Sequence, residues 1–325
     1  MRVFLNGFGR IGRSVLRAWA RGTWPVQIAG INDIAAPDMC AYLFQYDSVF
    51  GPWQGTVELR DGALVVDGRA IPLHRAADLS ALDLSGVDVV MECTGRADGR
   101  DVAERGLRAG AGRVLISGPS KASDVTVVLG ANEDAVTDQR IISNASCTTN
   151  ALAPLVRLLD REWGVVTGSM TTIHCYTGSQ PTVDAPAADF ARSRAAALSM
   201  VPTTTSAQRL LDQVLPDLAG RVQGSAVRVP VASVSAVDLA VMLDRVPTAD
   251  AVNEAFKAGG VIGWTDRPLV SSDLRARPES IVMATPETRI TAQGMVRVFG
   301  WYDNEWGFSN RMLDVASMIG ERRGA

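Results

Sequence analysis

The sequence predicts an α/β chain whose first half is a doubly wound parallel sheet, and three observations carry that expectation. Short apolar runs alternate with stretches of helical spacing along the first half of the chain. A cluster of glycines falls directly between the first apolar run and the first helical pattern. The length, 325 residues, exceeds what one hydrophobic core usually organises, so a second domain is expected beside the first.

Taken in order, "RVFLN" at 2–6 reads as a strand, "GFGRIG" follows at once, and Ile11, Val15, Leu16 and Trp19 then recur at helical spacing. Gly7, Gly9 and Gly12 match G-x-G-x-x-G. The first glycine permits the tight turn, the second lets backbone approach a pyrophosphate, and the third lets helix and strand pack closely. The helix start then offers backbone N–H groups and a positive dipole end to phosphates. The next strand, "VQIAGIND", ends in Asp33, 21 positions after Gly12, where a carboxylate accepts a hydrogen bond from an adenosine ribose 2'-OH. That charge would repel the extra phosphate of NADP, so NAD is the expected cofactor.

Further along, "TVEL" and "ALVVDG" read as a hairpin insertion, "VDVVMECTG" as a buried parallel strand, and "ADGRDVAERGLRAGA" as a helix. "RVLISGPS" and "VTVVLGAN" are expected to continue the sheet. "RIISN" ends at Asn144, and a helix, "TTNALAPLVRLLDREW", begins close to Cys147; Pro154 inside it implies a kink or a start one turn later.

Composition excludes several classes of function. With 47% hydrophobic and 21% charged residues and a formal net charge of -3, the chain is neither disordered nor drawn to strongly charged partners. Lys and Arg are scattered without a dense block, which argues against nucleic acid as the main ligand. No run of about 18 apolar residues occurs, so no membrane span is expected. The N-terminal residues enter a strand pattern without the layout of a signal peptide, and a cytoplasmic address is the expectation. The four cysteines, Cys40, Cys93, Cys147 and Cys175, lie far apart with no paired metal spacing, so no metal site is expected.

Of these cysteines, Cys147 stands out. It sits in "SNASCTTN", among hydroxyl and amide side chains at a helix start, where the dipole favours thiolate and such groups commonly titrate between about 3.5 and 7.5. Covalent catalysis needs a base, and the chain offers only two histidines. His74 lies in the polar segment "IPLHRAADL". His174 lies in "GSMTTIHCYTG", where an apolar, β-branched strand gives way to a glycine-bearing loop, the better position for an active-site group. Cys175 is expected to point to the opposite face of that strand and to pack. Cys93, inside a buried strand, and Cys40, beside "AYLF", read as packing residues too.

Together "NGFGRIGR", "SNASCTTN", "TTIHCYTGSQ", "AVRVPVASVSAVDL" and "WYDNEWGFSNRM" show that the chain resembles the glyceraldehyde-3-phosphate dehydrogenase family from residue 1 to about 320, with the erythrose-4-phosphate dehydrogenase branch sharing most of the same landmarks. The resemblance implies a homotetramer of two-domain subunits. A Rossmann NAD-binding domain would comprise 1–148 and 305–325, and an α+β catalytic domain with a mostly antiparallel sheet would comprise 149–304. By motif, Cys147 is the nucleophile and His174 the acid/base. Arg10 and Ile11 would meet the pyrophosphate through backbone N–H groups, Asp33 the ribose and Ser117 the nicotinamide side, with Arg75 also among the cofactor residues and Asn304 orienting the nicotinamide carboxamide. Thr177 and Arg228, with Arg192 or Arg194, match the pocket for the substrate's own phosphate; Ser146, Thr148, Thr205 and Ser206 match the one for inorganic phosphate.

This sequence departs from the family at two places beside those pockets. Gly178 and Ser179 stand where the family usually has an Asn-Asp pair, and Ser206 replaces the usual glycine after Thr205, with the nearby lysine absent. A Cβ at 206 would be costly if the backbone needs positive φ there. The retained Thr177 and arginines favour oxidation and phosphorylation of a three-carbon phosphorylated aldehyde. Oxidation of erythrose 4-phosphate with water completing the reaction is the alternative, and a non-catalytic NAD-binding redox sensor is a third reading.

Overall fold

A computed structural model, which describes residues 1–321, divides the chain into two units. One comprises Met1–Val127, Glu133–Ala145 and the chain from Ser309 onward; the other comprises Val128–Asn132 and Ser146–Phe308.

The first unit is built on a sheet in the order β3-β4-β5-β2-β1-β6-β7-β9-β8. Its strands are β1 (Arg2–Asn6), β2 (Gln27–Asn32), β3 (Val57–Arg60), β4 (Ala63–Val66), β5 (Arg69–His74), β6 (Val89–Glu92), β7 (Arg113–Ile116), β8 (Val125–Thr126) and β9 (Ile141–Ser143). β1 pairs in parallel with β2 on one side and β6 on the other, so the strand order reverses at β1. A crevice at the carboxyl end of that strand is where open α/β sheets bind ligands. β1 is apolar and buried along Val3, Phe4 and Leu5 because helices cover both faces of such a sheet. α1 (Arg10–Arg21) supplies one cover through Val15 and Leu16, both fully buried. α2 (Pro37–Gln45) starts on a proline, whose fixed φ suits the first helical turn. The insertion after it is an antiparallel meander of β3, β4 and β5 whose last strand joins β2 in parallel.

Two local expectations are corrected here. The single helix over "ADGRDVAERGLRAGA" is two short pieces, α3 (Arg100–Ala103) and α4 (Arg105–Arg108). Gly106 in the second lies so close to the sheet that a Cβ there would stand 3.0 Å from Val114 and 3.1 Å from Val90, a tight approach that favours glycine. Of "VTVVLGAN", only Val125–Thr126 pairs, as the edge strand beside β9.

The second unit opens with α5 (Cys147–Trp163), which runs unbroken through Pro154 and ends at Gly164, whose φ of +74 suits a glycine stop. Its sheet has the order β11-β12-β10-β13-β17-β15-β14, with β16 paired to β17. The elements are β10 (Val165–Cys175), β11 (Val201–Thr203), α6 (Ala207–Val214), β12 (Val222–Val229), β13 (Ser235–Leu243), α7 (Ala249–Phe256), β14 (Ile262–Thr265), β15 (Ile281–Ala284), β16 (Arg289–Ile290) and β17 (Met295–Tyr302); α8 (Trp306–Glu321) follows and from Ser309 belongs to the first unit. Most pairs are antiparallel; β10 with β12 and β14 with β15 are parallel. α5 packs on β10, β13 and α6. Met170, Thr172 and His174 alternate as buried residues along the end of β10, while Thr171 and Ile173 between them are more exposed. No helix among the described residues is long and apolar enough to cross a membrane.

Candidate active site

The start of α5 is made by its own sequence. Ala145 takes a φ of +54, and Ser146 then caps the helix, its Oγ accepting from the Thr149 N–H at 3.1 Å. Cys147 is therefore the first helical residue, where backbone N–H groups have no partner within the helix. His174, next to last in β10 and 5% exposed, places Nε2 3.7 Å from the Cys147 sulfur. The Tyr302 hydroxyl, at the end of β17, lies 2.8 Å from Thr148 Oγ1 and 2.8 Å from Thr172 Oγ1. It ties the cysteine helix to the histidine strand, and its ring meets the imidazole edge-on at 6.0 Å.

The register of β10 with β12 sets His174 directly opposite Arg228. Arg228 Nη1 stands 3.0 Å from His174 Nδ1, 3.0 Å from the Cys175 carbonyl oxygen and 3.5 Å from Thr177 Oγ1. Thr177 Oγ1 in turn shares a hydrogen bond with Ser179 Oγ at 3.0 Å. The charges that act most on Arg228 are those of Cys147, Cys175, Tyr302 and Arg192, none of them a carboxylate, and its buried Nε has no hydrogen-bond partner. A guanidinium without a counter-ion beside two hydroxyls is suited to an anion.

Burial, then the Arg228 charge, pushes His174 down to about 4, against the opposing hydrogen bond to the Cys175 carbonyl. The imidazole is neutral near pH 7. Burial also pushes the Cys147 thiol up, outweighing Arg228 and the Thr148 hydrogen bond, which act to lower it. This corrects the expectation of a lowered thiol: the helix end contributes only a partial charge, and loss of water around the sulfur counts for more. Burial thus acts against the charged form of each member of the pair.

The other candidate phosphate ligands are distributed less tightly. Arg194 is paired with Asp184 at 2.7 Å on the surface. Arg192 sits in a short 3-10 turn, its backbone N–H bonded to Asp189, and its charge is felt by Arg228. Thr205 Oγ1 accepts from the Ala207 N–H, and Ser206 precedes α6 with φ -76 and ψ -7. Serine therefore carries no backbone penalty at that position. Neither Thr205 nor Ser206 hydrogen-bonds to Cys147, His174 or Arg228. Ser146 and Thr148 are already engaged, the first in capping and the second with Tyr302.

Sequence reasoning missed Tyr302 and Thr172, although alternation along "MVRVFGWY" does turn Tyr302 inward. Cys175 is fully buried, as expected, and burial pushes its thiol up to about 12. It does more than pack, because its thiol lies 3.0 Å from Asn304 Oδ1 and its N–H donates to Ser235 Oγ at 3.1 Å.

In the first unit, Gly7 has a φ of +94, and a Cβ on it would lie 2.7 Å from the backbone of Cys93 and Thr94. A Cβ on Gly12 would overlap the Gly7 carbonyl, and Gly9 precedes α1 without any side-chain cap. These are the tight turn and bare helix start that a pyrophosphate requires. Beside them a cavity of about 510 Å³ is lined in part by Gly7, Gly9, Asp33, Cys93 and Arg96. The Asp33 carboxylate accepts from the Phe8 N–H at 2.6 Å and the Ala35 N–H at 2.9 Å, which fixes it at the end of β2 with lone pairs to spare.

Arg75 donates to the Ile34 carbonyl at 3.2 Å, and the Arg10 side chain pairs with Asp47. Ile11 follows in the first turn of α1, and the Ser117 N–H bonds the Glu92 carbonyl at 3.0 Å. Cys93 falls just past β6 and is only half-buried, so it lines the cavity instead of lying inside the strand. Buried Glu92 accepts from Asn6 at 2.5 Å, and Asn6 from Asn32 at 2.9 Å, a polar brace across three strand ends that the sequence did not reveal. These residues fit a dinucleotide. Among the described residues no group of His, Cys, Asp and Glu is arranged to hold a metal ion.

A doubly wound sheet with a glycine turn, together with a cysteine and histidine held beside an arginine, is the equipment of a nucleotide-dependent dehydrogenase. Residues 1–100 match "Glyceraldehyde 3-phosphate dehydrogenase, NAD binding domain", and residues 146–304 match its C-terminal domain. The chain is 46% identical to a glyceraldehyde-3-phosphate dehydrogenase of Pseudomonas aeruginosa and 43% identical to one of Xanthobacter flavus, each over 99% of both sequences. It is 42% identical to glyceraldehyde-3-phosphate dehydrogenase 2 of Bacillus subtilis over 99% of this chain and 97% of the relative. The chain belongs to the glyceraldehyde-3-phosphate dehydrogenase family.

Proposed function

We propose that the protein oxidises glyceraldehyde 3-phosphate with NAD and inorganic phosphate to 1,3-bisphosphoglycerate, through a thioester on Cys147. The observation that carries this reading is the 3.7 Å approach of the Cys147 sulfur to His174 Nε2, with Arg228 opposite His174. His174 Nε2 takes the thiol proton as sulfur attacks the aldehyde carbon, and the resulting oxygen is held by the Cys147 N–H and the imidazole. His174 returns that proton to the oxygen, giving the thiohemiacetal hydroxyl, and accepts it again as the carbonyl re-forms and the hydride leaves. NAD, when bound by the glycine turn and Asp33, supplies the acceptor for the hydride.

The thioester left on Cys147 is then open to phosphate. Arg228 and Thr177, with Arg192 as the freer of the two neighbouring arginines, are suited to the substrate's own phosphate. The inorganic phosphate that attacks is assigned to Ser146, Thr148, Thr205 and Ser206, with backbone N–H groups carrying the contact where hydroxyls are engaged. The redox-sensor reading is disfavoured because burial raises both the Cys147 and the Cys175 thiols, which suppresses thiolate chemistry in the absence of substrate.

A homotetramer is part of this reading. Val183, Phe190, Leu198 and Met200 are 72%, 96%, 83% and 74% exposed within one short segment, an apolar surface suited to burial against other subunits.

Purified protein given glyceraldehyde 3-phosphate, NAD and phosphate is expected to form NADH, and Cys147→Ser to abolish it. Undiminished turnover by that variant would remove the nucleophile assignment, and a rate indifferent to phosphate would favour hydrolysis of the thioester over phosphorolysis.

A further inference from the structure

Asn304, which the family resemblance assigns to the nicotinamide carboxamide, has its backbone set by its neighbour. One Asp303 carboxylate oxygen accepts from the Ala276 N–H at 2.8 Å, and the other accepts from the Glu305 and Trp306 N–H groups at 3.0 and 2.8 Å. The turn between β17 and α8 is thereby pinned. What stays free at Asn304 is the flip of its side-chain amide, which exchanges a donor end for an acceptor end with almost no change of shape.

The Cys175 thiol meets that amide at its oxygen, with Sγ 3.0 Å from Oδ1. Cys175 is itself held at both peptide groups, its N–H donating to Ser235 Oγ at 3.1 Å and its carbonyl accepting from Arg228 Nη1 at 3.0 Å. Burial, against the Ser235 hydrogen bond, pushes the thiol up to about 12, so the sulfur keeps its proton and acts as a donor. The reversed amide would set its NH2 group against the sulfur, which is only a weak acceptor. Asn304 Nδ2 makes no hydrogen bond to any described residue, so that end of the amide is left for a ligand. The Cys147 charge is felt at the Cys175 thiol, which puts this pair in the neighbourhood of the nucleophile.

We propose that Cys175 is a positioning residue for the cofactor: its S–H holds the Asn304 amide with Oδ1 turned to the sulfur and Nδ2 turned away, as a donor to the carbonyl oxygen of the nicotinamide carboxamide. This rests on the functional reading above and deepens it, because a residue next to the histidine then selects which end of the amide the nicotinamide meets.

The test is a binding measurement on the full-length protein without aldehyde or phosphate. NAD, ADP-ribose and 3-acetylpyridine adenine dinucleotide are titrated by calorimetry into the parent, Cys175→Ala and Cys175→Ser. ADP-ribose lacks the pyridine ring, and the acetylpyridine analogue keeps the carbonyl oxygen but carries a methyl group in place of NH2. The alanine variant, which has no donor at 175, is expected to bind NAD and the acetylpyridine analogue more weakly by roughly three- to tenfold, up to the worth of one neutral hydrogen bond. Its affinity for ADP-ribose is expected to match that of the parent, which also reports that the fold is intact. Serine keeps a donor and is expected to restore most of the loss.

An equal loss for ADP-ribose and NAD would assign Cys175 to packing and overturn the proposal. So would a serine variant no better than alanine, or an acetylpyridine analogue indifferent to residue 175 while NAD responds, since the amide would then offer Oδ1 to the NH2 group. Because no aldehyde is present, the outcome is independent of turnover. The expected pattern in a protein that forms no NADH from glyceraldehyde 3-phosphate removes the functional reading alone, and turnover with unchanged NAD binding in the alanine variant removes this inference alone.

Discussion

At the scale of single residues, the site is governed by water exclusion. His174 and Cys147 each lie where burial penalises the charged form. The same burial has a cost in acid. In the native state His174 titrates at about 4, below its model value of 6.5, so between these values the unfolded chain binds a proton that the native imidazole refuses. Stability from this group is complete above about 6.5 and is lost as pH falls toward about 4, by up to roughly 3 kcal/mol. His174→Gln is expected to flatten the fall of urea-unfolding free energy across that window relative to the parent, and an identical slope in both proteins would show that the native imidazole is not held neutral.

At the scale of elements, the site depends on three pieces meeting: the start of α5, the end of β10 and the end of β17, joined through the Tyr302 hydroxyl. Removing that hydroxyl strands two buried threonine hydroxyls at once. Tyr302→Phe is expected to cost about 1–3 kcal/mol in urea unfolding and to slow both turnover and alkylation of Cys147, since the cysteine and histidine are no longer held to one spacing. A stability loss with an unchanged alkylation rate would assign the tyrosine to packing only.

These elements also mark where the sequence was readable. The glycine turn, Asp33 and the helix start at Cys147 are local patterns whose meaning lies within a few residues. The division of the helix over 100–108 was not readable from its residue pattern. Arg228 was identified only through the family resemblance, and its contact with His174 could not be foreseen. It arises from a strand register spanning more than fifty positions of sequence.

At the scale of the whole molecule, the apolar segment around Val183, Phe190, Leu198 and Met200 is the feature that one chain leaves unexplained. The native protein is expected to sediment as four chains, and Phe190→Glu with Leu198→Glu to shift it to smaller species with the fold retained by circular dichroism. A monomeric native protein would count against the assembly.

The sequence by itself determined the class of fold and the cofactor turn and singled out the candidate cysteine and histidine, because strand and helix periods, glycine geometry and helix starts act over short stretches of chain. Only the tertiary structure decided how far that pair is desolvated and the company it keeps. Desolvation depends on what packs around a group, and the opposition of Arg228 to His174 depends on how distant strands align, and neither quantity is written in any local run of residues.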